Sequence, residues 1–148
     1  MQTSSLALPG TIHGRCHCGN LRYTLQWPAS LAPTLRACAC DYCSRQGALW
    51  TSQADAPVTL TINDPARVLP YRFGTASADF LVCGCCGILT LTRCTFDGGE
   101  RTVVNANTFE NVALEQCARI ATDFDGEDQA QRMARRQRNW SPLSVLKP

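Results

Sequence analysis

The chain has 148 residues, 45% of them hydrophobic and 18% charged, with a formal net charge of +2. That length suits one domain with a core of its own. The near-neutral charge, with no broad basic stripe ahead of the C-terminal segment, argues against a nucleic-acid partner. No run approaches the ~20 apolar residues of a bilayer-crossing helix, so no membrane partner is expected.

Residues 1–11 read as a leader. They carry neither the basic region nor the long apolar region of a secretory signal. A reducing, cytoplasmic setting follows, in which the ten cysteines point to metal or catalysis rather than to disulfides. Adjacent Cys85 and Cys86 could bridge each other only with strain.

The first cysteine cluster is Arg15-Cys16-His17-Cys18-Gly19. Leu21 to Trp27 alternates apolar and polar and predicts a half-buried strand. After Pro28 and Pro33, Leu35 to Cys40 predicts a second strand, with Cys38 and Cys40 on one face and Cys43 on the following turn. Ala48 to Thr51 and Val58 to Ile62 predict further strands. Asn63-Asp64-Pro65 predicts a turn, and Val68 to Phe73 an edge strand, because Pro70 cannot donate to a ladder. Phe80 to Val82 leads into the third cluster, Cys83-Gly84-Cys85-Cys86-Gly87, and Ile88 to Thr92 leads out, which places the cluster at a hairpin tip. Asp97-Gly98-Gly99 is a turn, and Thr102 to Val104 a strand. Asn111 to Gln116 suits one helical turn, and Gly126 to Trp140 a surface helix. Its Arg132, Arg135, Arg136 and Arg138 read first as a solvated face, and second as a docking site for an acidic ligand. The sum is a mostly β domain.

Thiolates at this density favour zinc, which accepts four sulfurs without redox chemistry. Two pairs, each followed by a glycine, suit one closed site: Cys16 and Cys18 with Cys83 and Cys86. Such a site contributes folding free energy directly. Cys38, Cys40 and Cys43 remain, and three protein ligands with an open position suit a catalytic zinc that holds an incoming thiol as thiolate. Alternatively Asp41, Cys85, Cys94 or His17 closes the second site and both metals are structural, or only the first site fills.

Three segments then resemble one family. Gly14-Arg15-Cys16-His17-Cys18-Gly19-Asn20-Leu21-Arg22-Tyr23 resembles the opening motif of the glutathione-dependent formaldehyde-activating enzymes, the centromere protein V/Gfa domain. Cys38-Ala39-Cys40-Asp41-Tyr42-Cys43 followed by Gly47-Ala48, and Phe80 to Leu89, resemble its later motifs in order. The resemblance spans residues 12–109 and leaves 110–148 as a partly helical extension packed on the same domain. It implies a β-tent fold of packed antiparallel sheets with zinc-bound hairpin tips and a short C-terminal helix. It implies two zincs, one structural on Cys16, Cys18, Cys83 and Cys86, and one at an active site on Cys38, Cys40 and Cys43. The implied activity is that of a carbon–sulfur lyase, forming S-hydroxymethylglutathione from formaldehyde and glutathione. The competing class is a non-catalytic zinc-stabilised binding or interaction module.

Among the remaining residues, His17 reads as exposed, because neighbours of a ligand in extended chain point away from the metal. Cys94 and Cys117 read as buried apolar side chains, and Cys85 as a spare reactive thiol. Arg15, Arg36 and Arg45 read as charge balance for the thiolates or as holders of substrate carboxylates. Trp50 and Phe73 read as core.

Overall fold

A computed structural model describes residues 10–28 and 32–146; residues 1–9 of the expected leader lie outside the described residues. The described chain is mostly β. In order it forms β1 (Thr11–Arg15), β2 (Leu21–Gln26), β3 (Thr34–Cys38), α1 (Asp41–Gln46), β4 (Trp50–Thr51), β5 (Val58–Ile62), β6 (Val68–Tyr71), β7 (Asp79–Cys83), β8 (Leu89–Phe96), β9 (Gly99–Thr102), β10 (Val104–Asn105), β11 (Ala118–Thr122), α2 (Gln129–Asn139) and β12 (Ser141–Leu146).

The strands run β1-β2-β5-β12-β9-β8-β10-β4-β3-β11, and β7 adds to β8 with β6 outside it. β8 therefore pairs with three strands along its eight residues: β7, β9 and β10. It is the strand the two halves of the sheet share. Most pairings are antiparallel, as expected for hairpin-connected strands. Two are parallel, β11 with β3 and β12 with β5, and both are made by the C-terminal segment.

Alternation predicted the core-facing residues well. Leu21, Tyr23 and Leu25 of β2 and Val58, Leu60 and Ile62 of β5 are buried and join Ile12, Leu81, Leu91 and Val104 in the main core cluster. β6 is an edge strand, pairing only with β7. Asp64 caps a 3-10 turn over Pro65–Arg67 by accepting the Ala66 amide. Asp97 and Gly98 form the turn between β8 and β9, and Leu114–Gln116 is a single 3-10 turn.

The structure corrects several expectations. The strand expected to carry both Cys38 and Cys40 ends at Cys38. Cys40 is the N-cap of α1, its sulfur accepting the Cys43 amide, so Cys43 lies in a helix and not a turn. The strand expected across Thr102 to Val104 is interrupted at Val103, whose amide donates to the Thr92 hydroxyl. β11 and β12 had no clear alternation to announce them. Ala118 to Ala121 are all exposed, and β12 carries Pro142 at its second position.

Gly14 lies against the ring of Tyr23, so closely that a Cβ there would stand 2.2 Å from Tyr23 Cζ. The ring cannot move aside easily, because it is buried and its hydroxyl is hydrogen-bonded to Thr108 Oγ1 at 2.7 Å. Gly14→Ala is therefore expected to destabilise the fold by about 1–3 kcal/mol through overpacking. Urea unfolding checks this; an unchanged midpoint would show that the ring yields freely.

Candidate metal centres and active site

The first cluster forms where two hairpin tips meet. Cys16 follows β1, and Cys18 leads into the turn before β2. Cys83 ends β7, and Cys86 lies in the turn before β8. Gly19 and Gly87, one after each pair, have φ of +84° and +81°. Only a residue without a Cβ adopts that conformation at little cost, so these glycines let the chain double back beneath the sulfurs. The tips are tied by Cys16 N–H to Leu21 O at 3.0 Å and Cys83 N–H to Ile88 O at 3.0 Å.

The four sulfurs lie within 4.8 Å of one another. Cys18 Sγ is 3.8 Å from Cys16 Sγ and 3.5 Å from Cys83 Sγ. A tetrahedral zinc with Zn–S near 2.3 Å sets its sulfurs roughly 3.8 Å apart, so the donor set fits zinc in number, type and spacing. The Leu21 amide donates to Cys16 Sγ and the Cys85 amide to Cys83 Sγ, both at 3.4 Å. Such N–H groups offset thiolate charge. Cys16 and Cys83 are fully buried within the main core.

The second cluster joins the end of β3 to α1. Cys38, Cys40 and Cys43 have all three sulfurs within 4.8 Å of one another. Cys43 is buried, and the indole Nε1–H of Trp50 donates to its sulfur at 3.4 Å. Crowding divides the thiols. Cys38 is lowered to about 5, chiefly by its hydrogen bond with the Cys43 thiol, and Cys43 is pushed up, chiefly by the same bond and then by burial. A shared cation would remove this conflict by stabilising all three as thiolates.

The residues weighed as a fourth ligand do not join the triad. Among the described residues the cluster has three members, without Asp41, Cys85, Cys94 or His17. Asp41 pairs with Arg45 at the surface, and His17 is exposed. Cys94 is buried, its thiol donating to Ser77 O, and Cys117 is buried too. Cys85 is exposed, with Arg67 Nη1 3.7 Å from its sulfur. All ten cysteines are free.

The triad opens into a cavity of about 500 Å³. One wall comes from Trp50, Phe73 and Phe80. Phe73, expected in the core, is half-buried and faces this space, within 4.9 Å of both Phe80 and Tyr42 between ring centroids. The C-terminal segment lines the cavity as well, from Thr122 to Trp140. β11 runs parallel to β3 with Thr122 opposite Cys38, and the Ala39 amide donates to Thr122 O at 2.8 Å. α2 starts at a capping box made by Asp128 and Gln131. Arg132, Arg135 and Arg136 face the cavity, whereas Arg138 is exposed. The solvated-face reading therefore holds for Arg138 only. The spacing of Arg132, Arg135 and Arg136 with Trp140 was the available signal, since residues three and four apart share a helix face. Of the other arginines, Arg15 pairs with Glu110 and Arg36 lines the cavity.

Among the described residues no helix is long and apolar enough to cross a membrane. A family model described as glutathione-dependent formaldehyde-activating enzyme matches residues 11–126. The chain is also similar to a Rhodobacter sphaeroides protein whose crystal structure was a structural genomics target. That match has a TM-score of 0.55 and 25% sequence identity, and covers 73% of this chain and 99% of the other. No curated protein matches significantly.

The two clusters should respond differently to ligand removal. Cys83→Ser is expected to leave one zinc per chain and to destabilise by more than about 4 kcal/mol, because a closed site linking two hairpins is folding energy. Cys40→Ser is expected to leave one zinc as well, at a cost below about 2 kcal/mol. Elemental analysis with urea unfolding checks both; equal losses of stability would contradict the division.

Proposed function

The chain belongs to the glutathione-dependent formaldehyde-activating enzyme family, and on that premise we propose that it is a zinc-dependent carbon–sulfur lyase working at Cys38, Cys40 and Cys43. Cys16, Cys18, Cys83 and Cys86 hold a structural zinc in this reading. The observation that carries it is the three-membered sulfur cluster opening into a cavity of about 500 Å³, a volume typical of small-molecule sites. A zinc ion held by the three sulfurs would supply the Lewis acidity that keeps an incoming thiol deprotonated near neutral pH.

The chain's own residues do the rest. The short α1 presents Cys40 and Cys43 from its first turn, and Trp50 Nε1–H fixes the Cys43 sulfur. Phe73 and Phe80 line the cavity beside the triad and give it an apolar side. The thiolate attacks the formaldehyde carbon, and a C–S bond forms as the carbonyl π pair moves to oxygen. The proton given up by the thiol ends on that oxygen. The product is S-hydroxymethylglutathione, and the reverse reaction breaks the C–S bond. Among the described residues the carboxylates that line the cavity are Asp41, Asp123 and Asp125, all exposed, and in this reading the proton passes through them and solvent. The ten free thiols suit a reducing compartment such as the cytoplasm.

Formaldehyde consumption, followed with and without glutathione, tests the reading. The wild type is expected to show glutathione-dependent loss above background, and Cys40→Ala to fall to the uncatalysed rate. Equal rates in all four samples would remove the activity.

A further inference from the structure

Two of the four arginines that line the cavity have no carboxylate paired with them among the described residues. Arg36, Arg132, Arg135 and Arg136 all line it. Arg132 and Arg135 are committed to Glu127, at 3.4 and 2.9 Å, and Arg135 also covers the Phe124 ring at 3.5 Å. Its charge helps lower the Cys38 thiol, though less than the hydrogen bond from Cys43 does. The acidic residues at the mouth are otherwise engaged or solvated. Asp41 holds Arg45, exposed Asp123 accepts the Asp125 amide, and the Asp125 side chain is itself exposed.

Arg36 and Arg136 are left without a carboxylate partner among the described residues. Arg36 donates to Ser52 Oγ at 2.7 Å. Arg136 is only 8% exposed. Its guanidinium carbon sits 4.9 Å from the Trp140 ring centre, and its Nη1 donates to Ser77 Oγ at 2.8 Å. Its Nε is buried with no hydrogen-bond partner among the described residues, and the same holds for Thr122 Oγ1 in the cavity wall. Burial is the leading cause that makes the Arg136 guanidinium give up its proton more readily than usual. Arg136 touches Cys94, not the triad. Thiolate neutralisation therefore does not account for it, and a buried cation without a counter-charge is costly.

We propose that Arg136 and Arg36 form a receptor for a substrate carboxylate, inside the cavity onto which Cys38, Cys40 and Cys43 open. The proposal rests on the thiol-adduct reading above and adds to it the two side chains that hold the adduct's carboxylate. The planar guanidinium of Arg136, propped by Ser77 and Trp140, is preorganised for a planar anion. The carboxylate comes either from a glutathione-like thiol or from a carboxylate-bearing aldehyde such as glyoxylate.

Calorimetric titration of the zinc-loaded full chain separates these cases. The probes are S-methylglutathione, its dimethyl ester and glyoxylate. None has a free thiol, so binding is read apart from C–S bond formation. If the thiol carries the carboxylate, the ester is expected to bind the wild type roughly 10- to 100-fold more weakly than the acid. Arg136→Met should then weaken the acid by a similar factor and no longer distinguish acid from ester. If the aldehyde carries it, glyoxylate loses that affinity instead. Either result supports the receptor. The acid–ester comparison and glyoxylate binding in the wild type need no variant, and Arg36→Met is a second variant should Arg136→Met fold poorly. The receptor is overturned if acid and ester bind the wild type alike and glyoxylate does not bind, or if Arg136→Met and Arg36→Met, when folded, leave both probes unchanged. That result beside glutathione-dependent formaldehyde loss would reject the receptor and keep the reaction. Carboxylate-dependent binding without formaldehyde loss would do the reverse.

Discussion

Seven sulfurs packed into two groups, each within 4.8 Å across, are the constraint on which the rest depends. Thiols so close cannot all ionise without a shared cation, and thiols that stay protonated would leave the surrounding N–H donors poorly matched. At the first group the donors come from two hairpins 65 residues apart in sequence, Cys18 and Cys83. Holding them together closes a long loop, a cost that grows only slowly with length and that a bound ion offsets many times over. Cys16 and Cys83 are buried in the same core as Leu21, Leu60 and Leu91, so metal binding and hydrophobic packing favour the same arrangement.

The second group is built differently. Its three sulfurs come from one stretch, the end of β3 and the first turn of α1. It closes no long loop and contributes little to the assembly of the sheet. It gains position instead: Trp50 donates to the Cys43 sulfur, and α2 brings Arg132, Arg135 and Arg136 to the same cavity. One scaffold thus carries a centre that holds strands together and another that faces a ligand-sized space. The parallel pairing of β11 with β3 makes the link, because it sets Thr122 beside Cys38.

Much of this was legible in the sequence. The 2-residue alternation in Leu21 to Gln26 and Val58 to Ile62 fixed buried faces, and glycine after each cysteine pair anticipated the tight turns at Gly19 and Gly87. The division of cysteines into four and three also agrees with where the sulfurs lie. What could not be read was long-range. Ala118 to Ala121 gain strand structure by pairing with β3 and not by burying a face, so no periodicity marks them. Spacing sets Arg136 on one helix face with Arg132 and Trp140, but nothing local shows that Ser77 and Cys94 pack against it. Cys40 reads as strand by spacing, yet its sulfur competes for the Cys43 amide and starts a helix. In each case tertiary contact overrode local propensity.

X-ray absorption at the zinc edge measures the central claim most directly, because it counts sulfurs around each ion. With one four-sulfur site and one three-sulfur site filled, the mean is expected to be about 3.5 sulfurs per zinc, completed by a light atom. Adding glutathione should raise it to about 4, as a substrate sulfur takes the open position. Four sulfurs per zinc before any thiol is added, or no change after it, would contradict an open sulfur-bound centre at Cys38, Cys40 and Cys43.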